Sequence, residues 1–172
     1  GKAGTNMAFT TGARVNAGDN LDLDAGNHLT AEDSQVRAEG DAALTATDGN
    51  LTVTRATVTA GGFLDGDAGQ GILLTAATLA SGRPAVVPPF APFAPTAADN
   101  LDLTLNAGSG DIALSQASVV DSAGALVMDS EEGNVSLTNN SRATAVTDAT
   151  IGAGGGGSLA QGSRLEATTG DL

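Results

Sequence analysis

The sequence has 172 residues and a formal net charge of −13 from 20 acidic and seven basic side chains, which argues against nucleic acid and anionic membranes as partners. It contains no cysteine, which excludes disulfides and thiol chemistry. Its only aromatic residues are four phenylalanines, so a core must be built from Leu, Val, Ile and Ala.

A block of about 22 residues recurs along the chain, most clearly in the adjoining stretches 18–39 and 40–61. Each stretch holds three short apolar pairs whose members are two residues apart, separated by Gly, Asn, Asp or Ser. Side chains two residues apart lie on one face of a strand, and no stretch keeps the spacing of a helix. We therefore expect an all-β fold, a parallel β-helix (β-solenoid) of about seven coils stacked at about 4.8 Å.

Three columns of apolar residues mark the predicted strands. The first comprises Leu21, Leu44, Leu64, Leu103, Leu126 and Ile151. The second comprises Leu29, Leu51, Ile72, Ile112, Val135 and Leu159. The third comprises Val36, Val58, Leu79 and Val119, and it blurs at Ala143 and Leu165. We expect the members of each column to stack as one apolar ladder.

Glycine and asparagine punctuate the columns at the predicted turns. Nine glycines are expected there because turns often need positive φ: Gly18, Gly26, Gly40, Gly49, Gly62, Gly69, Gly110, Gly124 and Gly133. Four asparagines precede apolar positions, namely Asn20, Asn50, Asn100 and Asn134. Asparagine tolerates left-handed backbone and bonds nearby backbone groups, so a stacked asparagine ladder is a further hypothesis.

The repeat is interrupted once, where 40 residues instead of about 22 separate Ile72 from Ile112. The surplus includes 83–95, which reads RPAVVPPFAPFAP and carries all five prolines. Proline lacks an N–H donor and cannot join the interior of a strand ladder. We therefore interpret 1–172 as a single β-helix segment with a Pro-rich insertion outside the helix at 83–97.

The insertion supplies the candidate partner-binding residues Arg83, Phe90 and Phe93. Pro-rich segments favour extended recognition, and two Phe rings would give such a segment an apolar contact surface. The alternative is that the segment folds back and covers one flank of the solenoid, because exposed apolar patches are uncommon without a purpose.

Two further motifs resemble metal or catalytic sites only weakly. The acidic string 65–71 lacks the later ligands of an EF-hand loop, so we interpret it as a turn with solvated carboxylates. His28 is the only histidine and has no partner in sequence for a metal site or a Ser-His-Asp arrangement, which predicts a surface turn residue. We expect no metal and no cofactor.

The basic residues are candidates for a catalytic cluster, since some β-solenoids cleave acidic polysaccharides. They are Lys2, Arg14, Arg37, Arg55, Arg83, Arg142 and Arg164. Most stand roughly one coil apart, so they could stack along one edge, where charges discourage pairing between sheets. No ionisable cluster stands out in the sequence, and we expect no enzyme. The Thr-rich stretch 52–59 is not repeated in other coils, which argues against a flat ice-binding face.

The stretch 40–62, GDAALTATDGNLTVTRATVTAGG, resembles the haemagglutinin repeat of filamentous haemagglutinin-like exoproteins of the two-partner secretion pathway. The shared phrase is Gly-Asp/Asn, Leu-x-Leu/Ala, Gly-Asn-Leu-Thr and Ser/Thr-x-Val-x-Ala-Gly. It recurs at 25–40, 50–61 and 110–124, and more loosely at 133–147 and 155–170. The Asn-Pro motifs of that family's secretion domain are absent, so the resemblance is to the repeat shaft.

This resemblance implies a right-handed parallel β-helix in the shaft of a bacterial surface-exposed or secreted adhesin. It implies export through an outer-membrane transporter and contact with a receptor or glycan on a host or neighbouring cell. The alternative function is a glycan-binding or glycan-cleaving β-helix protein. The repeat is already under way at Gly1 and still running at Leu172, which predicts a piece of a longer array. No apolar run is long enough to cross a membrane.

Overall fold

The computed structural model describes residues 1–82 and 101–172, which form 21 strands and no helix. The strands form three parallel sheets, one for each side of a β-solenoid of about seven coils. Sheet A contains β1 Lys2–Ala3, β4 Leu21–Ala25, β7 Ala42–Ala46, β10 Leu64–Ala68, β13 Leu103–Ala107, β16 Leu126–Ser130 and β19 Ala149–Ala153. The predicted all-β solenoid with its period of about 22 residues is confirmed.

Sheets B and C complete each coil. Sheet B contains β2 Met7–Phe9, β5 Leu29–Glu32, β8 Leu51–Thr54, β11 Ile72–Thr75, β14 Ile112–Ser115, β17 Asn134–Leu137 and β20 Gly156–Leu159. Sheet C contains β3 Arg14–Ala17, β6 Gln35–Ala38, β9 Thr57–Ala60, β12 Thr78–Ser81, β15 Val119–Ser122, β18 Arg142–Ala145 and β21 Arg164–Ala167. Each strand inside a sheet pairs in parallel with its counterparts one coil before and one coil after it.

The core is a single apolar cluster enclosed by the three sheets. Alternation along each strand places every second side chain inside, so Leu51 and Val53 are fully buried while Thr52 and Thr54 face outward. Leu51 lies directly between Leu29 and Ile72 of the adjacent coils. The second predicted column therefore stacks as expected through most of the solenoid.

Two of the predicted columns mix neighbouring rows. In sheet A, Leu21, Leu64, Leu103 and Leu126 share one inward row with Ala42 and Ala149. Leu44 and Ile151 belong to the other inward row, two residues further along the strand. In sheet B, Leu159 likewise pairs with Leu137 and not with Val135. These columns were mispredicted because each strand has two inward positions. Where a small residue such as Ala42 fills one of them, the larger apolar residue at the other position is mistaken for its equivalent.

The third column is wrong by one residue at Val119. Val119 faces outward beside Thr78, whereas Val120 is buried against Leu79 and Ala143. The turn before β15 contains one more residue than the turns before β6, β9 and β12, and its Gln116 and Ala117 both have positive φ. This extra residue moves the buried position from 119 to 120.

The register continues unchanged across the long interruption. Three residues link β9 to β10, whereas residues 82–102 link β12 to β13, which is 18 more. Nevertheless Leu64 pairs directly with Leu103. Gly82 donates to the carbonyl of Gly62 on one side, and Leu101 accepts from the backbone of Gly124 on the other. The described chain thus stops at Gly82 and resumes at Leu101 at one corner of the solenoid, between sheets C and A.

None of the nine turn glycines has a positive φ, and eight of them are needed for space. At all except Gly18, a Cβ would come within 3.1 Å of the preceding or following coil. At Gly26, for example, it would lie 2.5 Å from the carbonyl oxygen of Gly4. The positive-φ turn residues are mostly other types, such as Asp33, Arg55 and Ala76 in the turns from sheet B to sheet C.

A row of capping side chains runs along the corner that precedes sheet A. Here a side-chain oxygen accepts the backbone N–H of the equivalent residue in the next coil: Asn20 from Asp41, Asp41 from Phe63, Asp102 from Ala125 and Asp148 from Asp171. A glycine precedes each of these donors, at Gly40, Gly62, Gly124 and Gly170, and a Cβ there would strike the capping oxygen. Phe63 and Ala125 have no side-chain oxygen that could act as a cap. In the coil after each of them, the glycine is replaced, by Leu101 and Thr147 respectively.

A second capping row precedes sheet B and includes His28. Asn6 accepts the N–H of His28 at 3.2 Å, His28 Nδ1 accepts that of Asn50 at 3.0 Å, and Asn50 accepts that of Gly71 at 2.9 Å. Asp111 continues the pattern by accepting the N–H of Asn134 at 2.7 Å. The hypothesis of a pure asparagine ladder is therefore replaced by a mixed row of Asn, His and Asp that satisfies the turn amides of the next coil.

We predict that Asp41→Ala lowers the free energy of unfolding by about 1–2 kcal/mol, because the N–H of Phe63 loses its acceptor. Gly62→Ala should cost a similar amount by displacing the same carboxylate. The double variant should cost about 1 kcal/mol less than the sum of the single variants, since only one cap can be lost. Denaturant unfolding of the four proteins measures this coupling, and strict additivity would contradict the assignment.

Candidate functional site

The predicted partner-binding residues Arg83, Phe90 and Phe93 lie outside the described residues, as does the whole of the predicted insertion 83–97. The structure does describe the residues on either side of this segment. Gly82 and Leu101 are neighbours at the corner between sheets C and A, and a Cβ on Gly82 would lie 3.0 Å from the Leu101 Cβ. Ser81 Oγ donates to the Leu101 carbonyl at 2.6 Å, which ties together the described chain on either side of the segment.

The three outer faces differ in chemistry. We call the outer face of sheet A the acidic face, because its outward side chains include Asp22, Asp24, Asp65, Asp67 and Asp129. Along one row, Asp24, Asp67 and Asp129 alternate with Thr45 and Asn106. This alternation keeps carboxylates from standing directly opposite each other on adjacent strands, where like charges destabilise a sheet.

The acidic string 65–71 begins as a strand, which corrects its interpretation as a turn. Asp65 and Asp67 are the two outward residues of β10, and Leu64, Gly66 and Ala68 point inward. The inward position between the two aspartates is occupied by Gly66 and not by a large apolar residue. The sequence therefore lacks the apolar–polar alternation typical of a strand, and its Asp and Gly residues are types that favour turns. The turn begins only at Gly69.

Asp65 and Asp67 form a coupled carboxyl pair on this face. Partial burial raises the pKa of Asp65 to about 6, and the nearby charge of Asp67 and a hydrogen bond shared with it act in the same direction. Asp67 is held by Asn106, whose Nδ2 donates to Oδ1 at 2.8 Å. Asp65 has only Ala43 and Thr104 beside it on the adjacent strands, so it lacks a comparable partner there.

A shallow groove of about 470 Å³ runs across the strand ends of the acidic face, at the corner that leads to sheet B. Its polar side chains are Thr45, Thr47, Asp67, Asn106, Asp129 and Glu131. Three carboxylates and no basic residue line it, so its potential is negative and would repel anions.

The described residues contain no group of three or more His, Cys, Asp or Glu placed to hold a metal ion. Asp65 and Asp67 are neighbours on the outward side of β10, two residues apart along the strand.

We predict that Asp65 makes the folded state less stable as the pH rises from about 4 to about 6. A carboxyl with a raised pKa binds its proton more tightly when folded, so the favourable term is present below about pH 4 and is lost above pH 6. Solvent screening at this half-exposed group limits the effect to about 1 kcal/mol. Asp65→Asn should remove this loss, and urea unfolding at pH 4, 5, 6 and 7 measures it. An unchanged pH profile would contradict the assignment.

Two of the basic residues are neutralised by carboxylates of an adjacent coil. Arg55 donates to Asp33 at 2.7 and 2.8 Å and to Glu32 at 2.8 Å, and these hydrogen bonds lower the pKa of Asp33. Lys2 bonds Asp24 at 2.6 Å. The remaining described bases, Arg14, Arg37, Arg142 and Arg164, lie on the outer face of sheet C, so the bases do not form one stack along an edge.

The outer face of sheet B carries hydroxyls and almost no charge. Its outward rows include Thr30, Thr52, Thr54, Thr75, Ser115, Ser136 and Ser158. Leu73 and Ala113 interrupt one of these rows, and Leu73 is 43% exposed. Threonine therefore does not repeat over all coils, in agreement with the interpretation of the sequence.

No helix in 1–82 or 101–172 is long and apolar enough to span a membrane. Comparison with known proteins finds no matching family model, no matching curated protein and no matching solved structure. The resemblance to haemagglutinin repeats therefore remains a prediction, and a proposal of function has to be supported by the geometry of the solenoid.

Proposed function

We propose that this chain is a shaft segment of a filamentous adhesin, secreted or exposed on the surface of a bacterium. Its first task is mechanical, because a stack of coils spaces whatever is attached to it along one axis. Its second task is to bring an adhesive segment to a receptor or glycan on a host or neighbouring cell. Export of the parent protein through an outer-membrane transporter belongs to the same proposal.

The observation that carries the proposal is the unbroken register of the three sheets through all described coils. Even the interruption between β12 and β13 leaves Leu64 opposite Leu103. The large apolar side chains are used in one continuous core, and the turn carboxylates and amides cap the next coil. These features favour a repeating support whose faces and corners are free to vary.

The adhesive part of the proposal rests on the corner where residues 83–100 are attached. The described residues on either side of this segment, Gly82 and Leu101, both bond to the solenoid, so its attachment point is held firmly. The segment carries Arg83, Phe90 and Phe93, and an apolar, proline-rich sequence of this kind suits extended recognition.

Beads coated with the chain test the adhesive part. We expect them to attach to epithelial cells or to bacterial cells more than albumin-coated beads do. The variant with Phe90→Ser and Phe93→Ser should lose most of this attachment, while its thermal unfolding temperature stays within about 2 °C of the parent. Attachment that survives the double substitution would show that the segment is not the adhesive element.

A further inference from the structure

The outer face of sheet C contains a second concave region, formed by β3, β6 and β9. Its six outward side chains form two rows of three, Arg14–Gln35–Thr57 and Asn16–Arg37–Thr59. Neighbours within a row are about 4.8 Å apart, which is the strand spacing. Together with Val36 they line a depression of about 380 Å³, within the range of about 300–1,000 Å³ usual for small-molecule sites.

Every one of these six side chains can donate a hydrogen bond, and no carboxylate lines the depression. This is unusual in a protein whose net charge is −13. Arg14 and Arg37 occupy diagonal positions, so they place two guanidinium groups in one small, donor-rich area.

Arg37 is incompletely satisfied by the protein. Its Nε is buried without a hydrogen-bond partner, and its Nη2 reaches the exposed Glu39 only at 3.4 Å. A buried charged donor without an acceptor costs free energy, so the protein does not fully satisfy the Arg37 guanidinium. Arg55, by contrast, has all of its short bonds at 2.7–2.8 Å to Glu32 and Asp33.

Arg14 forms no ion pair with any residue in the described ranges 1–82 and 101–172. Its side chain is exposed at the rim of the depression, beside Gln35. At physiological ionic strength charges are screened over about 8 Å, so the acidic face on another side of the solenoid does not cancel this local positive potential.

We propose that this depression binds an acidic sugar through its carboxylate, that is, a uronate unit of an extended polysaccharide. A guanidinium presents a planar pair of donors that matches a carboxylate. The neighbouring Thr, Asn and Gln side chains suit sugar hydroxyls, because each can donate and accept. The inference rests on the adhesive part of the proposed function. It deepens that part by naming a class of ligand and by adding this depression as a second binding site on the chain.

Titration with tri-galacturonate, followed by calorimetry or by fluorescence polarisation of the labelled sugar, tests the site on the full chain. We expect saturable binding, and we expect Arg14→Gln with Arg37→Gln to weaken it about tenfold or more. Arg142→Gln with Arg164→Gln is the matched control, since it removes the same charge from the same sheet outside the depression, and it should change the affinity less than about twofold. Glu39→Gln should tighten binding about two- to fivefold by freeing Arg37.

Four results would overturn the proposal. The first three are the absence of saturable binding, an equal loss in the Arg142/Arg164 control, and equal affinity for uncharged galactotriose. Tighter binding of a sulfated trisaccharide than of tri-galacturonate would overturn the assignment to a carboxylate. The proposed function is tested separately by the attachment of coated beads. That attachment is expected to depend on Phe90 and Phe93 and does not require this depression.

Discussion

Leu51→Asp is expected to lower the free energy of unfolding by about 4 kcal/mol, which is a large fraction of the roughly 5–15 kcal/mol that stabilises a folded domain. Leu51 is fully buried in the middle of the solenoid, between Leu29 and Ile72. The side chains that flank it are apolar, so the introduced charge would be desolvated without a partner. Circular dichroism during urea unfolding measures the loss.

The matched control is Thr52→Asp, one residue along the same strand. Thr52 faces outward between Thr30 and Leu73, so its replacement should change the free energy of unfolding by no more than about 0.5 kcal/mol. Because a shift of one residue exchanges the two faces of a strand, comparable losses in the two variants would mean that the register of β8 is wrong.

Leu105→Ala is expected to cost about 4 kcal/mol, because it opens a cavity that its neighbours cannot fill. Leu105 is fully buried and stands between Gly66 and Met128 in its row. Its methyl group covers the space above Gly66, where a Cβ would come within 2.9 Å of the Leu105 Cδ2. Truncating Leu105 therefore removes the side chain that compensates for the glycine.

The same contact predicts a change of sign for Gly66→Ala. In the parent chain the added methyl would be crowded by Leu105 and Leu51, at a cost of about 1 kcal/mol. In the Leu105→Ala background it would enter the cavity and stabilise the protein by about 1 kcal/mol. If Gly66→Ala had the same sign in both backgrounds, the two residues would not be stacked as described.

The overall fold could be predicted because the period of about 22 residues and the two-residue alternation are both visible in the sequence. The alternation at Leu51, Thr52 and Val53 predicts which side chains are buried, and the structure agrees. Prediction failed where a local change had no compositional signature. One extra residue in the turn before β15 moved the buried position from Val119 to Val120, and the two valines look alike in sequence.

Properties that depend on the adjacent coil were the hardest to predict. Positive φ was the expected reason for the turn glycines, but their role is to leave room for groups about 22 residues away, such as the carboxylate of Asp41 beside Gly62. The raised pKa of Asp65 depends on burial within the folded face, which the sequence does not display. The capping rows could have been found, because a cap and the glycine that faces it recur one coil apart.

The candidate partner-binding residues could be singled out from the sequence, but their role could not be tested. Arg83, Phe90 and Phe93 stand out because the repeat fails there, and their role remains a prediction. The donor-rich depression on sheet C does not stand out in the sequence, since its six residues come from three coils and only the register of β3, β6 and β9 brings them together.

The most direct test of a repeating shaft is the removal of one coil, followed by a distance measurement between spin labels attached at Ala8→Cys and Ser136→Cys. The chain has no native cysteine, and five coil-to-coil steps separate these two outward positions. Their backbone separation should therefore be about 24 Å. Deletion of 21–41, which removes β4, β5 and β6 and joins Asn20 to Ala42, keeps the length of the corner turn.

Pulsed electron–electron double resonance of the labelled full-length and shortened proteins measures the distance. If the chain is a modular shaft, the shortened protein folds cooperatively and the mean distance between the labels falls by about 5 Å, which is one coil spacing. A shortened protein that does not fold, or a distance that stays the same, would contradict a modular shaft.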